Sequence, residues 1–275
     1  MIKLMVDSSA DCSDETSLFD YFVPLTVSIG GRDYQDGIDL DRDTFYALLT
    51  QTGEFPKTSQ PSPDDFLQYF EQAKENGDQI LYFCLSSALS GTYQTACIAK
   101  DMAQYDGIYM IDSLGATHMI RCLAEYARKL VGEGFSAPEI VKKCEILKSK
   151  VKILAGLDTL EYLYKGGRLS RARAAVGELA GIKPIITITE EGKVSACSKA
   201  IGVNRAIQAI AAKLDSYTLD PDFPVYTLYT CGTENVEKLE QRLSGCCAIA
   251  GRKQVGPAIG AHIGPNAYGI LFVIQ

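Results

Sequence analysis

The sequence predicts an α/β protein of two domains, the first an α/β/α layer structure on a parallel sheet and the second built on a mixed sheet. Three observations carry that prediction. Short apolar runs alternate with helical segments through the first 150 or so residues, a rhythm that builds a parallel sheet through right-handed crossovers. Beyond residue 151 the rhythm breaks, because the apolar runs 183–189 and 193–198 are joined only by a turn at Glu191-Gly192, which reads as a hairpin. The length of 275 residues also lies near the size at which one core splits into two. The expected division is therefore 1–151 and 152–275.

Each element follows from local chemistry. Residues 2–6 read as a buried strand, and Asp7-Ser8-Ser9-Ala10-Asp11 leaves it as a polar loop at the carboxyl edge of the sheet, a common place for a site. Residues 22–29 read as a strand that turns at Gly30-Gly31 into Arg32-Asp33-Tyr34, with a short helix at 41–50. Pro61 and Pro63 keep 57–61 extended; Ser62 then caps a helix with Pro63 at its first position and Asp64 and Asp65 in its first turn. A strand at 79–85 precedes a helix at 91–104, and a strand at 107–111 precedes a polar turn, 112–117, and a helix running through Leu130 to the stops Gly132 and Gly134. Ser136-Ala137-Pro138-Glu139 opens the next helix. In the second domain, a strand at 151–157 and a short helix at 159–164 lead to a basic glycine turn, 165–170, before a helix at 171–180. Helices at 203–214 and 234–243 alternate with strands at 225–231 and 268–274, which places helices mainly on one face of the mixed sheet.

Composition narrows the function. Hydrophobic residues make up 47% and charged residues 22% of the chain, as in ordinary globular proteins, and the net charge of −7 with interspersed signs argues against a nucleic-acid or anionic-membrane surface. Asp7 comes too early for a secretory apolar region, and no run approaches the roughly 20 apolar residues of a membrane span. A cytoplasmic location is expected. The nine cysteines are odd in number, lack any Cys-x-x-Cys spacing and mostly stand among apolar residues, so free buried thiols are expected. With only His118 and His262, a zinc site has little to draw on.

The turn Ser86-Ser87-Ala88-Leu89-Ser90-Gly91-Thr92 joins a strand to a helix, where hydroxyls and backbone N–H groups can hold an anion. Thr58, Ser59, Ser90 and Thr92 are short hydroxyl donors, Gly91 permits close backbone approach, and His262 and Arg168 add polar or charged donors. Together they could surround a carboxylate. Each also has a plain structural reading: Ser90 as a helix cap, Thr58 and Ser59 as turn formers, His262 as a strand-end histidine. Arg168 would be a surface cation at a helix start, where the dipole disfavours it and so favours a partner anion. Ser90 lacks the Gly-x-Ser-x-Gly frame of a nucleophile elbow, and no third member accompanies Ser90 and His262. Lys165-Gly166-Gly167-Arg168 lacks phosphate-loop spacing, and Asp7, Asp11 and Asp112 make a weak metal argument.

The segments Asp7-Ser8-Ser9-Ala10-Asp11, Thr58-Ser59-Gln60-Pro61, Ser87-Ala88-Leu89-Ser90-Gly91-Thr92-Tyr93, Asp112-Ser113, Gly166-Gly167-Arg168-Leu169-Ser170, Lys183-Pro184 and His262-Ile263-Gly264-Pro265 stand in order along essentially the whole chain. In that order and spacing the chain resembles the DegV family. The resemblance implies a bacterial cytosolic fatty-acid-binding protein with a parallel-sheet domain, a mixed-sheet domain and the acyl chain buried between or beside them. It implies that Thr58 and Ser90 hold the carboxylate, and it matches His262 and Arg168 to the family's late histidine and its glycine-arginine turn. Asn266 departs from the family's His-x-Gly-Pro-Gly-Ala, although asparagine tolerates left-handed backbone. The family's fatty acid kinase binding subunits present the acid to a separate ATP-using subunit, which forms an acyl phosphate for phospholipid synthesis. The absence of an ATP motif here fits such a carrier. The expectation is a non-catalytic carrier with a long-chain fatty acid as ligand, a kinase subunit as partner, and no cofactor, metal, nucleic acid or integral membrane segment. Its competitors are a hydrolase or transferase acting on a small carboxylate or acyl ester through Ser90 and His262, and a ligand-dependent regulatory or transport module without a kinase.

Overall fold

The computed structural model describes residues 1–169 and 181–275. Its first sheet is fully parallel, in the order β2 (Tyr21–Val23), β1 (Ile2–Asp7), β6 (Gln79–Cys84), β7 (Ile108–Asp112). Residues 80–84 are all buried, as strands covered on both faces must be. Two helix pairs cover it: α2 (Pro63–Asn76) with α3 (Thr92–Ala103), and α4 (His118–Gly132) with α5 (Ala137–Lys148). Both α2 and α5 begin with a capping box, Ser62 with Asp65 and Ser136 with Glu139, and each has proline in its first turn. The buried stripe Phe66, Phe70 and Ala73 turns α2 onto the sheet.

The second sheet is mixed, in the order β10 (Val194–Ile201), β9 (Ile182–Ile188), β8 (Val151–Gly156), β13 (Tyr268–Val273), β11 (Val225–Tyr229), β12 (Ile249–Gln254); its neighbours are antiparallel except for β11 and β12. One face carries Leu154, Ile185, Tyr268, Ile270 and Phe272 against α7 (Val203–Leu214) and α8 (Glu234–Leu243). From the other face, Ile153, Leu228 and Leu271 join the apolar interior of the parallel sheet. A side cluster places Ala155, Ile186 and Val194 with Leu163 of α6 (Glu161–Lys165) and Leu169.

A third sheet, β4 (Arg32–Gln35), β3 (Thr26–Ile29), β5 (Lys57–Ser59), is antiparallel. It packs with α1 (Arg42–Thr52) and α9 (Pro257–Ile263) around Val27, Phe45, Tyr46 and Ala261.

The fold class agrees with the sequence, and several details differ. Residues 22–29 are two strands, because Pro24 has no N–H for a ladder: β2 joins the parallel sheet and β3 the small one. Residues 57–61, expected as a loop, begin as a strand paired with β3. The strand expected over 225–231 ends at Tyr229. Neither β12 nor α9 was expected: β12 is a weakly apolar edge strand, Ile-Ala-Gly-Arg-Lys-Gln, and α9 is short and glycine-containing. The helix expected at 171–180 lies outside the described residues. All nine cysteines are free, but only Cys12, Cys84, Cys122 and Cys144 are buried.

Candidate functional site

The parallel sheet, the small sheet and α9 meet the mixed sheet around one mainly apolar cavity. Counted together with the open space at its mouth, it spans about 880 Å³. Leu25, Leu85, Ile153, Ile186, Leu228 and Ile263 are among its walls. Thr58, Ser90, Arg168 and His262 also line it. Four side chains from distant parts of the chain thus converge where the sequence placed an anion.

Local structure explains the convergence. In β5 the alternation of side chains turns Thr58 inward and leaves Ser59 exposed on the other face. The Gln60 amide reaches across to Thr95 Oγ1 of α3 at 2.6 Å. A Cβ on Gly91 would stand 2.1 Å from Gln60 Oε1, so glycine there lets the β5 loop close onto the α3 start. That clamp ties the β5 segment carrying Thr58 to the α3 start that follows Ser90, and sequence reasoning did not assign it. Its signal was glutamine in the Thr-Ser-Gln-Pro segment together with glycine after Ser90.

The Ser86–Thr92 turn works differently from the sequence expectation. The amides of Ser86, Ser87, Ala88, Leu89 and Ser90 donate to Gly115 O, Asp112 Oδ1, Ser86 Oγ, Ser86 O and Ser86 O, and that of Thr92 to Ser90 Oγ. Those donors are spent on holding the turn, so hydroxyls rather than these amides are left for a ligand. Ser90 Oγ lies 2.8 Å from Thr92 Oγ1, which makes buried Thr92 a support for Ser90 outside the cavity lining; Gly91 is exposed.

His262 occupies the last turn of α9, a correction to its reading as a strand-end residue. Pro257 starts this helix, and Gly260 presses on α1, since a Cβ there would meet Tyr46 Oη at 2.5 Å and Phe45 at 2.9 Å. His262 Nε2 lies 2.8 Å from Thr58 Oγ1. Its Nδ1 is buried without a hydrogen-bond partner among the described residues, packed over Gly166, where a Cβ would stand 2.3 Å away. A buried N–H without an acceptor costs more than a bare ring nitrogen. The proton therefore belongs on Nε2, donated to Thr58 Oγ1, and the Thr58 hydroxyl proton is free for the cavity. Burial, helped by the charge of Arg168, pushes His262 down to about 4, so the imidazole is neutral. Arg168 spans Leu89 O at 3.0 Å and Gly166 O at 2.5 Å, tying the Ser90 turn to the turn beneath His262.

The arrangement offers hydroxyl protons and one guanidinium at the end of an apolar cavity, which suits a carboxylate on a long apolar body. His262 Nε2 is engaged with Thr58 and Ser90 Oγ with Thr92, so the serine–histidine bond of an activated nucleophile is not the one made. Among the described residues there is no group of three or more His, Cys, Asp or Glu side chains able to hold a metal ion, and no helix is long and apolar enough to cross a membrane.

Residues 1–275 match a family model described as "Uncharacterised protein, DegV family". A DegV domain-containing protein of Caldanaerobacter subterraneus subsp. tengcongensis is 34% identical over 276 residues, covering 98% of this chain and 98% of its own. A DegV family protein from Thermus thermophilus, described for its fatty acid binding, superposes with a TM-score of 0.88 at 28% identity, over 100% of this chain and 99% of that one. The Streptococcus pneumoniae Fatty Acid Kinase (Fak) B3 protein, loaded with linoleic acid, gives a TM-score of 0.86 at 26% identity, over 100% of both chains.

Proposed function

The chain belongs to the DegV family, and from that premise we propose that it binds a long-chain fatty acid, with the acyl chain in the apolar cavity and the carboxylate at Thr58 and Ser90. The observation that carries this reading is the mainly apolar cavity edged by the hydroxyls of Thr58 and Ser90 with a neutral His262 behind them. A chain of about sixteen carbons gains on the order of 12 kcal/mol of gross transfer free energy at ~0.8 per methylene, before immobilisation costs. The cavity supplies affinity and the hydroxyls supply orientation. Arg168 adds a positive charge to the cavity lining.

The loaded protein acts as a carrier, not a catalyst, and presents the carboxylate to a separate ATP-using kinase subunit for acyl phosphate formation. The likeness to the Streptococcus pneumoniae protein supports this, since that protein is named for fatty acid kinase and was seen with linoleic acid. A cytoplasmic location and a division of the chain at 151/152 belong to the same reading.

Native mass spectrometry of the protein purified from a bacterial host tests it. A fatty-acid adduct near one per chain, weakened in Thr58→Ala with Ser90→Ala, is the expected result. An empty protein that also takes up no added fatty acid overturns the reading. Ester turnover abolished by Ser90→Ala would replace it with the hydrolase.

A further inference from the structure

The cavity has two unlike ends, and α9 runs from one to the other. Ala258, Ile259, His262 and Ile263 of this helix line it, a spacing that is one helical face, so the cavity extends along the helix. At the C-terminal end of that face His262 meets Thr58, and Thr58, Ser90, Arg168 and His262 are all only half-buried. At the N-terminal end the lining is Ala258 with Val255, Ala116 and Thr117, which are 2–5% exposed. The polar end reaches solvent, and the other end is closed.

What closes it is a thin layer of small side chains backed by buried polar groups. Asp36 Oδ2 accepts the Ala258 amide at 3.2 Å, and Asp11 Oδ2 accepts the Thr117 hydroxyl at 2.5 Å. Both aspartates approach Gly256, where a Cβ would stand 2.5 Å from Asp11 Oδ1 and 3.9 Å from Asp36 Oδ1. Thr117 and Ala258, far apart in sequence, are thereby held at one place, the start of α9. Val255 is held from outside as well, since its carbonyl accepts the Tyr46 phenol at 2.8 Å and its amide donates to Tyr229 O at 2.8 Å.

Such a floor does not give way to a longer ligand. Asp11 and Asp36 are 3% and 2% exposed, so a hydrogen bond broken by pushing the layer back leaves a buried polar group unpaired, which costs more than one further buried methylene gains. Thr117 is a β-branched residue at φ +54°, ψ −136°, a conformation that persists only where its surroundings over-determine it. The remaining walls do not offer a second deep end. Leu163, Ile186 and Val194 cluster with Leu89 and Ile263, neighbours in sequence of Ser90 and His262, and so belong to the polar end.

We propose that this floor is the stop for the methyl end of the acyl chain, so that Ala258, with Ala116 and Thr117 beside it, sets the chain length the protein prefers, a step that rests on the fatty-acid reading. It gives the ligand a direction, with the carboxylate at the C-terminal end of α9 and the methyl end at its N-terminal end. A chain too long for the floor cannot bring its carboxylate to Thr58 and Ser90 without buckling. One too short leaves the apolar atoms of the floor without contacts. Preference for one length follows from the two costs together, and residues that never touch the carboxylate decide it.

Native mass spectrometry of the delipidated full chain, offered an equimolar mixture of dodecanoic, tetradecanoic, hexadecanoic and octadecanoic acids, reads every length at once. Ala258→Leu raises the floor by three carbons and should lower the occupancy of octadecanoic relative to dodecanoic acid about tenfold, the effect of keeping roughly two methylenes from burial. Val255→Ala deepens the floor and should move the same ratio the other way; should Ala258→Leu fail to fold, this variant alone decides. Thr58→Ala acts at the carboxylate and should weaken all four acids by one common factor, leaving the ratio unchanged. A ratio that stays at its wild-type value in both floor variants overturns the stop while the fatty-acid reading stands, as does a ratio that Thr58→Ala shifts as much as Ala258→Leu. A wild-type protein that takes up none of the acids overturns the stop and the fatty-acid reading together.

Discussion

At its C-terminal end α9 carries His262, kept neutral because burial and the Arg168 charge push it down to about 4; beneath its N-terminal end lie Asp11 and Asp36, pushed up to about 7 and about 8. One helix of seven residues, roughly 10 Å long, thus has a base that resists charging at one end and two acids that resist charging at the other. The same cause acts at both, since removal from water disfavours whichever form is ionised. The difference lies in what each end leaves available. His262 hands its N–H to Thr58 and frees a hydroxyl for the cavity, whereas the aspartates turn their acceptors to Thr117 and Ala258 and fix the wall. A site for an anion can therefore be built from neutral donors.

The largest expected effect breaks the His262 end. Thr58→Ala with Ser90→Ala removes two hydrogen bonds to a charged group, each worth about 1.5–3 kcal/mol, so fatty-acid Kd should rise by at least about two orders of magnitude in a fluorescence titration. Should affinity hold, these hydroxyls are not the carboxylate site. Gly260→Val strikes the middle of the helix, where added atoms collide with Tyr46 and Phe45. Overpacking of this kind costs about 1–3 kcal/mol, to be read as a lowered midpoint in urea unfolding.

The pH dependence sharpens the comparison because the signs are opposite. For the aspartates the folded-state values lie above the ordinary 3.8, so their contribution is full below about pH 4 and is lost as pH rises through 7 to 8. For His262 the folded value lies below the ordinary 6.5, so stability is full above that and is lost as pH falls toward 4. His262→Asn should therefore lose about 1 kcal/mol less than wild type between about pH 6.5 and 5.5, by urea unfolding at each pH. A variant that loses as much as wild type would mean that His262 titrates normally. The smallest effect is expected at Asn266, which has φ +58° and donates to Asp158 Oδ2 at 2.9 Å. Asn266→Ala should cost about 1 kcal/mol for the left-handed backbone, and Asn266→Gly less.

How much of this was legible in the sequence depended on the range of the signal. The caps of α2 and α5 and the ends of α7 and α8 are written in neighbouring residues, and their periodicity was enough. Pro24 and the low apolarity of β12 were equally local, but their meaning depends on which sheet each strand joins. The cavity-lining four, Thr58, Ser90, Arg168 and His262, were readable as an anion-binding set through their residue types and the family motifs. Their convergence was not, because it depends on Gln60 meeting Gly91 and on Gly166 under His262. The meeting of Asp11 and Asp36 near Gly256 was invisible for the same reason, since segments distant in sequence build it. Asn266 is the reverse case, a departure whose tolerance for left-handed backbone foretold its φ of +58°.

The tip of the β9–β10 hairpin carries a consequence for timing. Gly192 stands at φ +74°, its carbonyl accepts the Ser86 hydroxyl at 2.9 Å, and a Cβ there would come within 2.2 Å of that oxygen. Ile186, Ile188 and Val194 of the same hairpin form one cavity wall, and this hydrogen bond, with the packing of Leu89 on Ile186 and Val194, fastens the wall to the turn that leads to Ser90. How tightly a lipid is held depends on the whole apolar lining, but how long it stays depends on how often one wall parts from another. On the fatty-acid reading, residence time and affinity then fall to different residues, and an exchange rate can shift at Ser86 or Gly192 with the equilibrium left nearly where it was.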